Sequence, residues 1–356
     1  MIVYHLSHTD LDGYSCQLLM GKYFENIKLY NANYGTEVRV NIENIVNELH
    51  NEDKDKKIYV FITDLNLTED ESKWLNREYK LLKEQGFNIT LKLLDHHKTG
   101  ENSSKKYDWY YLDISRSATK ITYDYLQENF SPISDMDKIK EFVQAVNAVD
   151  LWIEDDKLFE FGKVCMGLIY EANSINKLLF EHDNREFKYF LLENAIKYIN
   201  HDQAHIELDE KIHFIKKEFL KNLNGVIQAN DTFDNLKAKF ITNLLNNNKD
   251  KFTITFKDKD GIVHKGLFTY TLSSISIPAN TFLKQNSDYD FFLDLGKSGS
   301  ISLRADGKFD VSEFAQMLAD GGGHRNASGG KFENFKEVYR YEDAKEFIQK
   351  EFDKHQ

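Results

Sequence analysis

Four short apolar runs in the first hundred residues, IVYHLS (2–7), IKLYNAN (27–33), IYVFIT (58–63) and ITLKLL (89–94), alternate with segments of helical periodicity. Few folds accommodate this alternation. Strands joined by helix-length connections pair in parallel, and their helices then cover both faces of the sheet. GYSCQLLMGKYF (13–24) follows the first run as a helix, and Val38, Ile42, Ile45 and Leu49 give the next helix its apolar face. Thr68 and Glu71 form a capping-box pattern opening a helix with Leu75, Tyr79 and Leu82 on one side. The fold class expected is α/β, a doubly wound, mostly parallel sheet, with SATKITYDYL and IKEFVQAVNAV adding helices within 112–150.

Beyond this region the pattern changes twice. From about 185 to 225 it is helical, polar and lysine-rich. After about 235 it turns to strands: LKAKFIT, KFTITFKD, a turn at Asp260-Gly261, VHKGLFTYT and YDFFLDL. DVSEFAQMLAD (310–320) reads as a helix running into GGGHRNASGG. The division expected is a catalytic domain over 1–184, a helical connector over 185–234 and a smaller α+β domain over 235–356. A chain of 356 residues, 41% hydrophobic, suits two domains.

Acids and imidazoles gather where the strands stop. His8, Asp10 and Asp12 follow the first strand in SHTDLDG, Asp64 follows the third in FITDLN, and Asp95, His96 and His97 follow the fourth in LLDHHKTG. Asp150 ends a helix in AVNAVDLW. In an open parallel sheet the carboxyl ends of the strands share one edge, where ligands bind. Within His8-x-Asp10-x-Asp12, extended backbone would point all three side chains the same way. Taken singly, each has a plainer role: Asp12 before Gly13 suits a helix cap, His96-His97 a surface pair, Asp150 a helix end. Joint occurrence at one edge favours a metal centre, because converging carboxylates repel unless cations neutralise them. Carboxylate and imidazole without thiolate suit Mn, Mg, Fe(II) or Zn. A bridged pair of such ions polarises phosphoryl groups and activates water.

Bulk properties narrow the substrate. A net charge of -12 and a pI near 5.5 argue against a duplex-binding surface. Cys16 and Cys165 stand far apart in no metal or redox spacing, as in a reducing cytoplasm. The N-terminus lacks a basic signal-peptide region, and no apolar run approaches the roughly 20 residues of a membrane span. A soluble, cytoplasmic protein is expected, and a homodimer is compatible with the sequence.

LLDHH (93–97) resembles the name-giving motif of the DHH phosphoesterases, and SHTDLDG, ITDLN and AVDLW are similar to their other ordered motifs. GGGHRNASGG (321–330) resembles the signature of the DHHA1 domain that accompanies them. The resemblance implies that His8 and Asp10 bind one metal, Asp12, His96 and Asp150 the other, with Asp64 bridging. It implies that His97 contacts the scissile phosphate or assists the leaving group; Asp95 would orient an imidazole. Manganese is the cofactor expected. In the second domain, Gly322, Gly323, His324 and Arg325 would grip a terminal phosphate or base, and Arg304 in ISLRADG resembles the family's phosphate-binding arginine. Arg116, near a predicted helix N-terminus, is a further anion-binding candidate or a solvated surface residue.

The function expected is metal-dependent hydrolysis of short nucleotides: oligoribonucleotides, 3′-phosphoadenosine 5′-phosphate or dinucleotides. The compact first motif, His-x-Asp-x-Asp, looks closer to the RecJ-like branch, so a single-strand exonuclease is the nearest rival. An exonuclease needs a basic, aromatic channel, and no basic–aromatic tract stands out. A manganese-dependent pyrophosphatase would lack GGGHRNASGG. A catalytically inactive scaffold would have lost metal ligands, whereas all six are retained.

Overall fold

The computed structural model describes residues 1–272 and 274–355. They form two compact units: 1–172 with 188–212, and 173–187 with 213–356. The first unit begins β1 (Ile2–Ser7), α1 (Leu11–Gly21), β2 (Ile27–Asn31), α2 (Thr36–Leu49), β3 (Ile58–Thr63), α3 (Glu69–Glu84) and β4 (Ile89–Asp95). It continues with α4 (Glu101–Ser104), β5 (Tyr110–Leu112), α5 (Ala118–Asn129), α6 (Ile139–Asp150) and α7 (Phe159–Tyr170). The five strands are all parallel, in the order β2-β1-β3-β4-β5. From β1 the chain moves outward to β2 and then returns past β1 to β3. The switch point therefore falls between β1 and β3, where an open α/β sheet leaves a crevice at its carboxyl edge.

Every residue of β1 and β3 is buried, as a strand covered on both faces requires. On one face Val38, Ile42 and Ile45 of α2 and Leu75 and Leu82 of α3 pack with Tyr4, Leu6, Val60 and Ile62. Each fully buried side chain of this kind is worth about 1.5–3 kcal/mol relative to exposure. Gly13 shows how closely α1 approaches β1: a Cβ there would lie 2.4 Å from the carbonyl oxygen of His8.

The polar, lysine-rich stretch forms α8 (Glu181–Tyr198) and α9 (Ala204–Lys221), each of which contributes residues to both units. A small hairpin, β6 (Asn222–Leu223) and β7 (Val226–Ile227), follows. Next comes α10 (Phe233–Asn247), where the sequence reading expected a strand through LKAKFIT. Over a longer window the apolar residues Leu236, Phe240, Ile241, Leu244 and Leu245 recur at helical spacing and are buried. The Thr232 hydroxyl caps the start by accepting from Asn235 N.

After α11 (Lys249–Phe252) come β8 (Thr253–Lys257), β9 (Val263–Tyr270), α12 (Ser276–Gln285), β10 (Phe291–Leu295) and β11 (Ser300–Ala305). The chain ends with α13 (Val311–Ala319), β12 (Gly322–His324), β13 (Ala327–Lys331) and α14 (Tyr341–Asp353). The sheet order is β12-β13-β11-β10-β9-β8, parallel only between β9 and β10. GGGHRNASGG is thus a hairpin at the sheet edge, not a loop, with Gly323 paired to Ser328. Gly323 has φ +150, and a Cβ there would lie 2.7 Å from the Ala327 carbonyl oxygen, so close strand approach already requires that glycine. Among the described residues no helix is long and apolar enough to cross a membrane.

The capping box at α3 is complete: Thr68 Oγ1 accepts from Glu71 N, and Glu71 accepts from Thr68 N. Thr68→Ala is expected to lower stability by about 1 kcal/mol in urea unfolding while leaving activity unchanged.

Candidate metal centre

The site begins with the exits of β1, β3 and β4. Asp10 is the N-cap of α1, accepting from Gly13 N at 3.0 Å, and its other oxygen lies 2.8 Å from His8 Nδ1. Asp12 does not continue that extended spacing, because α1 has already begun at Leu11. Its side chain is buried against α5 instead, accepting from the backbone N–H groups of Ala118 (2.7 Å) and Thr119 (2.8 Å). The N-terminus of α5 does hold an anion, then, and the anion is the protein's own Asp12. Each Asp12 oxygen keeps a lone pair for a cation.

Asp64 directly follows β3 in the left-handed region, at φ 56. Aspartate is one of the few non-glycine residues that adopt this conformation. The conformation places a fully buried carboxylate between two groups of ligands. Asp64 Oδ2 lies 3.6 Å from His8 Nδ1, and Oδ1 lies 3.4 Å from His96 Nε2. His96 Nε2 is also 3.6 Å from Asp150 Oδ2 and 3.8 Å from Asp12 Oδ2. Two triads result, His8–Asp10–Asp64 and Asp12–His96–Asp150, each with its ligand atoms within 4.8 Å of one another. Asp64 with His96 and His97 forms a third such group.

Electrostatics shows what this clustering costs. Burial, then the charges of Asp10 and Asp12, raise the Asp64 carboxyl well above the usual range. Burial and the neighbouring Asp12 push Asp150 up to about 8, and burial raises Asp12 as well. Burial opposes charge on His8, but the hydrogen bond to Asp10 and the nearby Asp64 carboxylate outweigh it and push the imidazole up to about 9. Asp10 is the exception: burial would raise it, yet the bond to His8 draws it down to about 2. Asp64 Oδ2 is buried without a hydrogen-bond partner. An orphaned carboxylate oxygen amid hard oxygen and imidazole donors, crowded by like charge, fits divalent cations.

His97 lies beside the triads, in the third group, and carries its own chain of bonds. Its Nδ1 lies 2.7 Å from Asp95 Oδ1, and Tyr110 Oη donates to Asp95 Oδ2 at 2.8 Å. The Tyr34 hydroxyl meets His97 Nε2 at 2.8 Å, and its ring centroid lies 4.7 Å from that of His8. The sequence reading did not single out Tyr34 or Tyr110. Tyr34 was within reach, since it follows β2 in NANYG at the same sheet edge, but that strand end carries no acid or histidine.

The anion-binding candidates fare differently. Arg116 is not presented to a ligand: Nε binds Asp113 (2.7 Å), Nη1 binds Asp124 (2.6 Å) and Nη2 donates to Tyr111 Oη (2.9 Å). Two carboxylates already neutralise it, and nothing in the sequence reading of ISRSATK anticipated them. Arg304 donates to Leu303 O and Ser276 Oγ and lines a cavity of about 370 Å³ with Asn280, Asp306 and Asn326. His324 and Arg325 are exposed at the β12–β13 turn, and neither they nor Gly322 and Gly323 line that cavity.

No family model matches the chain. A curated relative, the 3′,5′-cyclic-nucleotide phosphodiesterase of Helicobacter pylori (strain ATCC 700392 / 26695), is 40% identical over 354 residues, 99% of each chain. The chain belongs to the DHH phosphoesterase family. The crystal structure of an uncharacterized protein from Helicobacter pylori G27 matches this DHH protein with a TM-score of 0.92 at 38% identity, covering 99% of both chains. Exonuclease RecJ bound to manganese is matched at 14% identity with a TM-score of 0.29, too low to bear on the argument. This DHH protein is accordingly a hydrolase of phosphoester bonds.

The raised carboxyls set an expectation for how the stability of the ion-free protein varies with pH. Asp64, Asp12 and Asp150 bind protons more tightly folded than unfolded. Their stabilising effect is full below about pH 4 and lost as pH rises, through about 8 for Asp150. His8 has the same sign, its contribution disappearing through about 9. In EDTA the Tm is expected to fall from about pH 5 to pH 8.5. Manganese at a hundredfold excess over Kd should restore about 3 kcal/mol at the upper end. A Tm that rises over that interval in EDTA would contradict the crowded-carboxylate picture.

Proposed function

We propose that this DHH phosphoesterase is a two-cation phosphodiesterase of short nucleotides, with 3′,5′-cyclic nucleotides and short oligonucleotides as substrates and manganese as the cation. The observation that supports it best is Asp64, whose two oxygens face different triads and one of which is buried without a partner. His8 and Asp10 would hold one ion, Asp12, His96 and Asp150 the other, and Asp64 both. Bound there, two divalent cations supply charge to polarise the phosphoryl group and to acidify water. The relative's activity on 3′,5′-cyclic nucleotides supports the substrate class, and the net charge of -12 disfavours long polyanions.

The chain's own residues then have distinct tasks. Asp95, fixed by Tyr110, holds His97 at Nδ1, which leaves Nε2 to meet a phosphoryl or leaving-group oxygen in place of the Tyr34 hydroxyl. Such a contact strengthens as charge develops and acts chiefly on kcat. The cavity beside Arg304 is a second recognition point, where a guanidinium held by Ser276 would meet an anionic group. A protein of this kind would work in the cytoplasm.

Activity on 3′,5′-cyclic AMP and on a dinucleotide is expected to vanish in EDTA and return with Mn. Asp64→Ala should lose at least about a thousandfold in kcat, and His97→Ala about a hundredfold with KM little changed. Full activity of Asp64→Ala, or of the wild type in excess EDTA, would refute the two-cation reading. The compact His8-x-Asp10-x-Asp12 motif makes a RecJ-like exonuclease the one competing outcome. Efficiency on single strands that rises with length and collapses at high salt would establish it.

A further inference from the structure

Helix α6 ends on a ligand and then turns in an unusual way. Ile153 N donates to Ala148 O at 2.7 Å and Trp152 N to Val149 O at 3.2 Å, the paired bonds of a Schellman stop. In that motif the left-handed position is taken mostly by glycine, sometimes asparagine. Here Trp152 occupies it, at φ 56. A bulky residue at positive φ is strained, and burial does not explain this one, because Trp152 is 57% exposed. The side chain is nevertheless fixed in place. Nε1 donates to Glu154 Oε1 at 2.9 Å, and the ring meets Phe159 at 5.2 Å and 85°. An indole held by its N–H and braced by an edge contact is an immobilised, solvent-facing surface. Its Cα lies within about 7.6 Å of that of Asp150, two virtual bonds away.

We propose that Trp152 is the platform on which the substrate's nucleobase stacks while the phosphoester lies at the Asp64–Asp150 cluster. The proposal rests on the nucleotide-phosphodiesterase reading above and adds the group that selects for a base. Strain at a position glycine would fill more cheaply is understandable where the side chain has a ligand to meet. Stacking is sequence-tolerant but grows with ring overlap, so purine nucleotides are expected to show lower KM than pyrimidine ones.

The test compares wild type, Trp152→Phe and Trp152→Gly on 3′,5′-cyclic AMP and on the abasic ribose 3′,5′-cyclic phosphate. Trp152→Gly should raise KM for cyclic AMP about tenfold to a hundredfold, with kcat within about twofold and no change on the abasic ester. Its Tm should not fall, since glycine is the residue that turn prefers. Adenosine 3′,5′-cyclic phosphorothioate, which resists hydrolysis, should quench the wild-type indole emission. That quenching should be absent in Trp152→Phe, although Trp74 and Trp109 remain. Equal losses on both esters with a lowered Tm would make Trp152 merely structural and overturn the proposal. Unchanged KM and quenching in the variants, with an active wild type, would overturn the platform alone. A wild type that neither binds nor cleaves any nucleotide would overturn the functional reading and the platform with it.

Discussion

Repulsion among carboxylates crowded round two buried ones, Asp12 and Asp64, is the constraint around which the first unit is organised. Asp10, Asp12, Asp64 and Asp150 converge on one sheet edge, where desolvation raises the carboxyls of Asp12, Asp64 and Asp150 above the usual range. The fold offsets this with whatever positive potential lies at hand. His8 takes up the charge of Asp10, the N-terminal amides of α5 take both oxygens of Asp12, and His96 stands among Asp12, Asp64 and Asp150. These compensations are incomplete at Asp64 Oδ2, which has His8 at 3.6 Å but no hydrogen-bond partner. On the two-cation reading proposed above, cations would complete this compensation, so that stability and activity would depend on the same cluster.

The sheet decides where that repulsion is tolerable. At the switch between β1 and β3 the connections diverge, so side chains leaving β1, β3 and β4 meet at one carboxyl edge. Beside the triads run polar contacts of a different kind. Tyr110, Asp95, His97 and Tyr34 form one continuous line of hydrogen bonds from the buried end of β4 to the surface. The inner members fix His97, while the outermost, Tyr34, is exposed enough to exchange its partner for a substrate oxygen.

Much of this was legible because strand runs and helix faces have different periods. β1 and β3 fall on the residues their apolar runs define, and all five strands are parallel. The acids and imidazoles were found because strand ends share an edge whatever the connecting loops do. What escaped depends on contacts distant in sequence. Asp12 was read as extended or as a cap for its own helix, whereas it caps α5, more than a hundred residues on. Arg116 looked available until Asp113 and Asp124 closed around it. LKAKFIT was too short a window to separate strand from helix, and only the longer run to Asn247 shows the helical spacing. GGGHRNASGG suggested a ligand loop, yet several of its glycines are demanded by strand-to-strand approach.

The left-handed backbone at Asp64 also bears on how such a protein could change over generations. Asparagine tolerates that conformation as readily as aspartate does, has nearly the same shape, and lies one base change away in the codon. It would also relieve the charge that Asp10 and Asp12 impose on the site. On the two-cation reading proposed above, a drift to asparagine would ease the crowding while removing the ligand shared by both ions. On that reading, selection for catalysis is what would hold Asp64 in place.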